Sequence, residues 1–222
     1  MPITDDPIRR RVFLVDDHPL VREWLTTLIN QQSDLTVCGD AGDAPQALDA
    51  IAKLKPDAAV IDVTLASGSG IELIKDLRRC CPSLAIVVLS MHDESLYAER
   101  ALRAGARGYV TKRETTKKIV AAIRKVLDGG IYTSENFANI MAEKLVDGRD
   151  AASASPAAGL SDRELEVFKM LGSGRETRQI GESLGISMKT VQVYCARIKE
   201  KLGVKTMNEL LREAVRWMEG QN

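Results

Sequence analysis

Three acids, a serine and a lysine in this 222-residue chain stand where one site could draw on all of them. Asp16 and Asp17 follow the apolar run Arg11-Val12-Phe13-Leu14-Val15, and Asp62 ends Ala58-Ala59-Val60-Ile61. Ser90 ends Leu84-Ala85-Ile86-Val87-Val88-Leu89, and Lys112 ends Gly108-Tyr109-Val110-Thr111. Carboxylates crowded together stay ionised only with a cation among them; otherwise one takes up a proton. Asp16, Asp17 and Asp62 in one polar pocket suit Mg²⁺, which prefers oxygen ligands and retains several waters. Asp62 could then attack phosphorus as a nucleophile and become an acyl phosphate. Mg²⁺ and Lys112 would neutralise charge developing on the phosphoryl oxygens, and Ser90 could donate a hydrogen bond to the product. The chemistry such a set supports is phosphoryl transfer to a carboxylate.

To meet, these residues need a parallel sheet. Short apolar runs bounded by turn residues read as buried strands, and a further short strand is expected at Leu35–Gly39. Between them lie helical patterns. Pro19 starts a helix with apolar spacing Leu20, Trp24, Leu28. Asp43 caps a helix carrying Ala47, Leu48, Ile51 and Leu54. Ser69 with Glu72 has capping-box spacing for a helix through Leu73 and Leu77. A helix from about Glu94 to Ala104 ends at Gly105, and Thr115 or Thr116 opens one through Ile119, Ile123 and Leu127. Strands alternating with helices predict a parallel sheet covered on both faces. Strands ending in polar groups fit a doubly wound, flavodoxin-like five-stranded sheet of order 2-1-3-4-5, with its crevice at the carboxyl ends.

After this block, Ser134 to Val146 reads as a helix with Phe137, Ile140, Met141 and Leu145 on one side. Asp147 to Gly159, small residues with one proline, reads as a linker. The expected division is residues 1–130, a linking segment 131–159 and a domain 160–222. Only helices follow the linker. Ser161 with Glu164 is a capping box before Leu165, Phe168 and Leu171. Arg178 to Leu184 is a short helix, with Ile180 and Leu184 inward, and Gly185 makes a tight turn. Ser187 caps Met188 to Leu202, with Val191, Tyr194, Ile198 and Leu202 on one face. Met207 to Met218 closes the chain, with Leu210, Leu211, Ala214, Val215 and Met218 inward.

Helix, glycine-centred turn and helix between Thr177 and Leu202 give a helix-turn-helix pattern, whose second helix enters the DNA major groove. Its outward face presents Lys189, Thr190, Gln192, Val193, Ala196 and Arg197. Glutamine pairs with adenine edges, arginine with guanine edges, and valine or alanine touches the thymine methyl. Arg178, Lys199, Lys201 and Lys205 suit phosphates. The stripe is local, because the formal net charge of the whole chain is +0.

Hydrophobic residues make up 45% and charged residues 28%, ordinary for a globular protein. No apolar run approaches the roughly 20 residues of a membrane span. The start, Met1 to Arg11, lacks a secretory pattern, so the expected place is the cytoplasm. Cys38, Cys80, Cys81 and Cys195 form no CxxC pair, and His18 and His92 are the only histidines, which argues against zinc and for reduced thiols. His18 beside Pro19 reads as a capping or supporting group, and His92 as a loop residue.

The runs Val-Asp16-Asp17-His, Val-Ile-Asp62, Val-Leu-Ser90 and Gly-Tyr109-Val-Thr-Lys112 resemble the receiver domain of bacterial response regulators, over residues 11 to about 128. The resemblance implies that Asp62 takes a phosphoryl group from the phosphohistidine of a sensor histidine kinase, with Mg²⁺ required. Asp16 and Asp17 would hold the metal with Asp62, Thr64 would offer its backbone carbonyl, and Lys112 would contact the phosphate. Ser90 and Tyr109 would be the switch pair. Leu65-Ala66 stands where many receivers have Met-Pro, so the loop to Ser69 lacks a φ restraint.

Leu160-Ser-Asp-Arg-Glu-Leu-Glu-Val, Gln179-Ile-Gly-Glu-Ser-Leu-Gly-Ile-Ser-Met-Lys-Thr-Val and Ile198-Lys-Glu-Lys-Leu-Gly-Val are similar to the LuxR-type DNA-binding domain. Together the halves resemble the NarL/FixJ class. That implies a transcription regulator of double-stranded DNA, a homodimer when active or on DNA, and no enzyme beyond self-phosphorylation and self-dephosphorylation of the receiver. Gln192 stands where the family often has lysine, and Gly181 where alanine is common, the latter a loosening of under about 1 kcal/mol. Two other readings compete. A phosphohydrolase with an aspartyl phosphate would want a second acid two residues on, where Thr64 stands. An interaction module that is never phosphorylated would have no use for the full acid pocket and Lys112.

Overall fold

The strands form where β-branched and aliphatic residues run together: β1 (Arg10–Val15), β2 (Leu35–Ala41), β3 (Ala58–Ile61), β4 (Ala85–Ser90) and β5 (Gly108–Thr111). All pair in parallel, in the order β2-β1-β3-β4-β5. This computed structural model describes residues 9–65, 69–91, 94–114, 116–147 and 156–220. Val12 to Val15, Ala58 to Ile61 and Ile86 to Leu89 are buried without alternation, as expected of strands covered on both faces. The covering helices are α1 (Pro19–Asn30), α2 (Ala44–Leu54), α3 (Gly70–Cys80), α4 (Glu94–Ala104) and α5 (Thr116–Leu127).

Register brings the candidate residues together. Val15 lies opposite Ile61, Ile61 opposite Val88, and Ser90 opposite Thr111. Ladder hydrogen bonds continue past the strand ends: the Asp62 N–H donates to the Val15 carbonyl at 2.8 Å, and the Lys112 N–H to the Ser90 carbonyl at 2.7 Å. The backbones that carry the acids, the hydroxyl and the ammonium are therefore fixed by the sheet itself.

The chain divides into two compact units, Met1–Asn139 and Ile140–Asn222. Helix α6 (Glu135–Asp147) spans that division. The second unit contains α7 (Asp162–Gly172), α8 (Thr177–Leu184), α9 (Met188–Leu202) and α10 (Met207–Glu219). The Ser161–Glu164 capping box forms, as does a second one between Thr206 and Glu209. No helix among the described residues is long and apolar enough to cross a membrane.

Several local expectations need correction. Helix α1 buries Leu25 and Ile29, whereas Leu20 and Trp24 are exposed; both sets have helical spacing, and the sheet takes the other face. Ser69 sits at the N-cap of α3 with no side-chain capping bond, and its Oγ is buried with no hydrogen-bond partner among the described residues. In α9 the second inward residue is Cys195, while Tyr194 is only half-buried. In α10 Val215 is exposed and Trp217 is buried, with its ring 5.7 Å from Phe168. The end of the linker is ordered: Pro156–Gly159 form a 3-10 turn and Ala157 is buried. Residues 66–68, His92, Thr115 and 148–155, with the expectations that fall on them, lie outside the described residues.

One element was not foreseen. Tyr132 pairs in parallel beside Gly108, with the Tyr109 N–H donating to the Tyr132 carbonyl at 2.9 Å. This covers the open edge of β5, where unpaired backbone would otherwise face water.

Candidate functional site

At the carboxyl end of the sheet, Asp16, Asp62 and Ser90 are buried. Lys112 Nζ donates to Asp16 Oδ2 at 2.5 Å and to Asp62 Oδ2 at 2.7 Å. One ammonium thus bridges two acids separated by 46 residues of chain, the pairing that crowded carboxylates require. Burial, with the charge of Asp16 adding, pushes the Asp62 carboxyl up to about 6, against the opposing pull of Lys112. Burial also works against the charge of Lys112, but Asp62 and Asp16 outweigh it and hold its pKa above the usual lysine value.

Asp17 and His18 complete the pocket. Asp17 Oδ1 is buried and lacks a hydrogen bond of proper geometry, although His18 Nδ1 lies 2.6 Å away. Ligand atoms of Asp16, Asp17, His18 and Asp62 all fall within 4.8 Å of one another. A buried carboxylate oxygen without a well-formed hydrogen bond, beside two further carboxylates, is a donor set that suits a hard divalent cation. His18 forms the N-cap position of α1 without a side-chain capping bond; its ring instead faces Asp16 and Asp17. Sequence reasoning set this residue aside, yet its position directly after two acids was the available signal. Thr64 meets Asp62 through its N–H, which donates to Asp62 Oδ1 at 3.2 Å.

The start of α3 presses on the same acid. A Cβ added to Gly70 would lie 1.9 Å from the Asp62 carbonyl oxygen, so only glycine permits this approach. The Gly70 N–H donates to the Val63 carbonyl at 2.9 Å, closing the loop.

Ser90 and Tyr109 are both buried, and their side chains share a hydrogen bond. Burial raises the Tyr109 phenol above its ordinary value, with the Ser90 bond opposing. Tyr109 therefore sits inward and protonated beside the acid pocket. Nearby, Glu94 in the first turn of α4 accepts a hydrogen bond from the Ser134 N–H at 2.8 Å, tying α4 to the segment that enters α6.

In the second unit, α8 ends at Gly185 (φ +64) and α9 begins at Ser187, whose side chain accepts from the Thr190 N–H. Gly181 is more than a helix weakener: a Cβ there would meet the Ile186 carbonyl oxygen at 2.8 Å, so the small residue lets the turn fold back on α8. Lys189, Gln192, Val193, Ala196 and Arg197 are exposed on α9, and Thr190 is half-exposed. Ser187, Lys189, Thr190, Val193, Tyr194 and Arg197 line a surface hollow. Tyr194, expected inside, thus joins the outward set.

The remaining basic residues divide. Lys201 Nζ lies 2.6 Å from Glu164 Oε2, so it ties α9 to the capped start of α7. Arg178 pairs along its own helix with Glu182 at 3.1 Å. Lys199 is half-exposed and Lys205 exposed.

Comparison with known proteins follows the same division. Residues 12–124 match the response regulator receiver domain, and residues 158–214 match the bacterial regulatory proteins of the luxR family. The chain is 34% identical to the transcriptional regulatory protein MctR of Rhizobium johnstonii, covering 92% of each chain. It is 31% identical to the oxygen regulatory protein NreC of Staphylococcus aureus, covering 93% of this chain and 97% of the relative. Among solved structures it resembles RcsB of Salmonella enterica serovar Typhimurium bound to a promoter in the presence of the phosphomimetic BeF3-. That match has a TM-score of 0.64 and 25% identity over 93% of this chain and 98% of that one. Another neighbour is two RcsB dimers bound to two parallel DNAs, with a TM-score of 0.57 and 26% identity over 92% and 97% of the two chains.

Proposed function

Because this chain belongs to the two-component response regulators that join a receiver to a LuxR-type DNA-binding domain, we propose that phosphorylation of Asp62 governs how its helix-turn-helix unit grips DNA. The observation that carries this reading is the double hydrogen bond from Lys112 to Asp16 and Asp62, next to a buried Asp17 oxygen that faces His18 Nδ1 at 2.6 Å. A kinase's phosphohistidine would be the donor: an Asp62 oxygen forms a bond to phosphorus as the nitrogen–phosphorus bond breaks, and the imidazole leaves with the electron pair. Asp16, Asp17 and Asp62, with the Thr64 carbonyl, are the residues that would hold Mg²⁺. That ion, when bound, supplies positive charge to the phosphoryl oxygens. Lys112 supplies the rest, moving from Asp62 to the phosphoryl group while it keeps Asp16.

Ser90 and Tyr109 then carry the change outward. The Ser90 hydroxyl turns to the new phosphoryl oxygen and Tyr109 follows it. The first turn of α4 repacks, and Glu94 passes the shift to Ser134 and α6. Such a switch is local electrostatics read out by an element with two arrangements, and it needs only a few kcal/mol between states.

In the second unit, Lys189, Thr190, Gln192, Val193, Ala196 and Arg197 would read the major groove. Arg178, Lys199 and Lys205 would meet phosphates, and Tyr194 joins them from the hollow it helps to line. Lys201 is held by Glu164, which favours a supporting role for it. A homodimer on DNA fits this reading, with half-sites about one helical turn apart. Domain limits of 1–130, 131–159 and 160–222 accompany it.

Mass spectrometry after treatment with a small phosphodonor and Mg²⁺ tests the first step. The expected result is one phosphoryl group on the peptide containing Asp62 and none in Asp62→Asn. A label that persists in Asp62→Asn refutes it.

A further inference from the structure

At the end of the receiver sheet opposite Asp62, the strands begin beside a cavity of about 640 Å³, within the roughly 300–1,000 Å³ of small-molecule sites. Arg10 opens β1 there, Asp57 precedes β3 and Arg107 precedes β5, while α2, α3 and α5 end around it. Four cations line it, Arg10, Lys55, Arg78 and Arg107, against the single carboxylate of Asp57. That carboxylate is already engaged, by Arg10 at 3.3 Å and by the Arg11 N–H at 2.8 Å.

Among the described residues, none of the other cations is paired with an acid. Arg78 donates to the carbonyls of Gly105 and Pro82, and Arg107 makes one bond, to the Gly129 carbonyl at 3.0 Å. Burial, with the charge of Arg107 adding, holds the Arg78 guanidinium below its ordinary pKa. The partial negative charge at the three helix ends is met by separate cations: Arg11 bonds the Leu54 carbonyl of α2 at 2.6 Å, Arg78 the Pro82 carbonyl just past α3, and Arg107 the Gly129 carbonyl just past α5. Among the described residues, no acid compensates Lys55 or the remaining N–H groups of Arg107. Lys55 is also the one non-glycine residue with positive φ among the described residues, at 48°. Glycine would end α2 there without strain; backbone strain of this kind gathers at ligand sites.

We propose that this cavity is a second ligand site of the receiver and takes a small organic phosphate. The phosphoryl dianion lies between Lys55 and Arg107, where two cations match its charge and the guanidinium fork matches its oxygens. The apolar part of the ligand packs on Pro56, Pro82 and Leu127. The site is independent of the phosphoacceptor pocket, which lies at the other end of every strand.

The test uses the full chain with AMP and with inorganic phosphate at low salt. Calorimetry measures binding, and alkylation of cysteines, read by mass spectrometry, locates it. Cys80 and Cys81 line the cavity and Cys38 does not. AMP is expected to bind saturably and more tightly than inorganic phosphate, and to slow alkylation of Cys80 and Cys81 but not of Cys38. The double variant Lys55→Gln, Arg107→Gln is expected to lose affinity by about tenfold or more with its melting temperature unchanged. Asp62→Asn is expected to bind as the parent does. The proposal is overturned if millimolar AMP gives no saturable heat, or if inorganic phosphate binds as well as AMP. It is equally overturned if the double variant binds normally, or if Asp62→Asn abolishes binding.

Discussion

Replacing Lys112 with methionine keeps an apolar stem of similar length and removes the ammonium that bridges Asp16 and Asp62. The side chains of the three partners are 10%, 3% and 6% exposed, so water cannot take over the role. With Lys112 present the Asp62 carboxyl already stands at about 6. Without it the pKa rises further, and once it passes the solution pH the carboxyl binds a proton and the added cost stops growing. At about pH 7.5 that ceiling is set by the gap of about 1.5 between 7.5 and 6, or about 2 kcal/mol at about 1.36 kcal/mol per pH unit. The sign follows from a carboxyl whose folded pKa lies above its unfolded one. Its destabilising effect is full above the folded value and fades as pH falls through it. At about pH 5.5 the parent's Asp62 is itself largely protonated, and the Asp62 part of the penalty drops below about 0.5 kcal/mol. Hydrogen exchange of the β3 amides in EDTA, parent against Lys112→Met at both pH values, reports the opening free energy of the sheet. The expected penalty is about 2 kcal/mol larger at the higher pH, and saturating Mg²⁺ should remove most of that difference. A penalty equal at both pH values would mean that Lys112 acts by packing alone and that the electrostatic description of the pocket is wrong.

Other perturbations reach different parts of the molecule. Gly70→Ala places a Cβ 1.9 Å from the Asp62 carbonyl oxygen; it should cost about 3 kcal/mol and slow phosphorylation, and an unchanged melting curve and rate would contradict the close approach. Glu94→Ala removes the acceptor of the Ser134 N–H; phosphorylation should proceed normally while the phosphate-dependent change in DNA affinity shrinks. Glu164 is pushed up by burial but pulled down further by Lys201 and the Ser161 cap, leaving its pKa below the usual glutamate value. Its stabilisation is therefore present above the ordinary glutamate pKa and lost as pH falls through the depressed one. Lys201→Ala, whose lysine is 42% exposed, should cost the second unit about 1 kcal/mol at neutral pH after discount for screening, and less in acid, as read by acid titration of Trp217 fluorescence. Arg197→Ala should weaken DNA binding by about 1–3 kcal/mol and relax one base preference. Lys205→Ala, at an exposed position, should weaken all sequences alike and lower the salt slope by about one phosphate contact, both measurable by fluorescence anisotropy.

The receiver pocket was legible because parallel strands are continuous apolar runs, so each run's end marks one rim of the sheet. Asp16, Asp62, Ser90 and Lys112 could be placed together from that alone. Helix faces were harder. Leu20, Trp24 and Leu28 have the same spacing as Leu25 and Ile29, and the choice between such stripes depends on the angle at which the helix meets the sheet. For the same reason Cys195 replaces Tyr194 in the core of the second unit, and Trp217, with its polar ring nitrogen, was passed over for Val215. Ser69 has the spacing of a capping box, but among the described residues no backbone N–H donates to its hydroxyl. The Tyr132 pairing was illegible because it consists of one bridge beside β5, too short to show a strand pattern.

Anisotropy of labelled DNA fragments selected by the full chain tests the coupling of the two halves most directly, with Mg²⁺ present and a small phosphodonor added or withheld. Phosphodonor should change the affinity of the parent by tenfold or more, leave Asp62→Asn unchanged, and have no effect once Mg²⁺ is chelated. Equal affinity in all of these conditions, with Asp62 verified as phosphorylated, would contradict the claim that the acid pocket controls the grip on DNA.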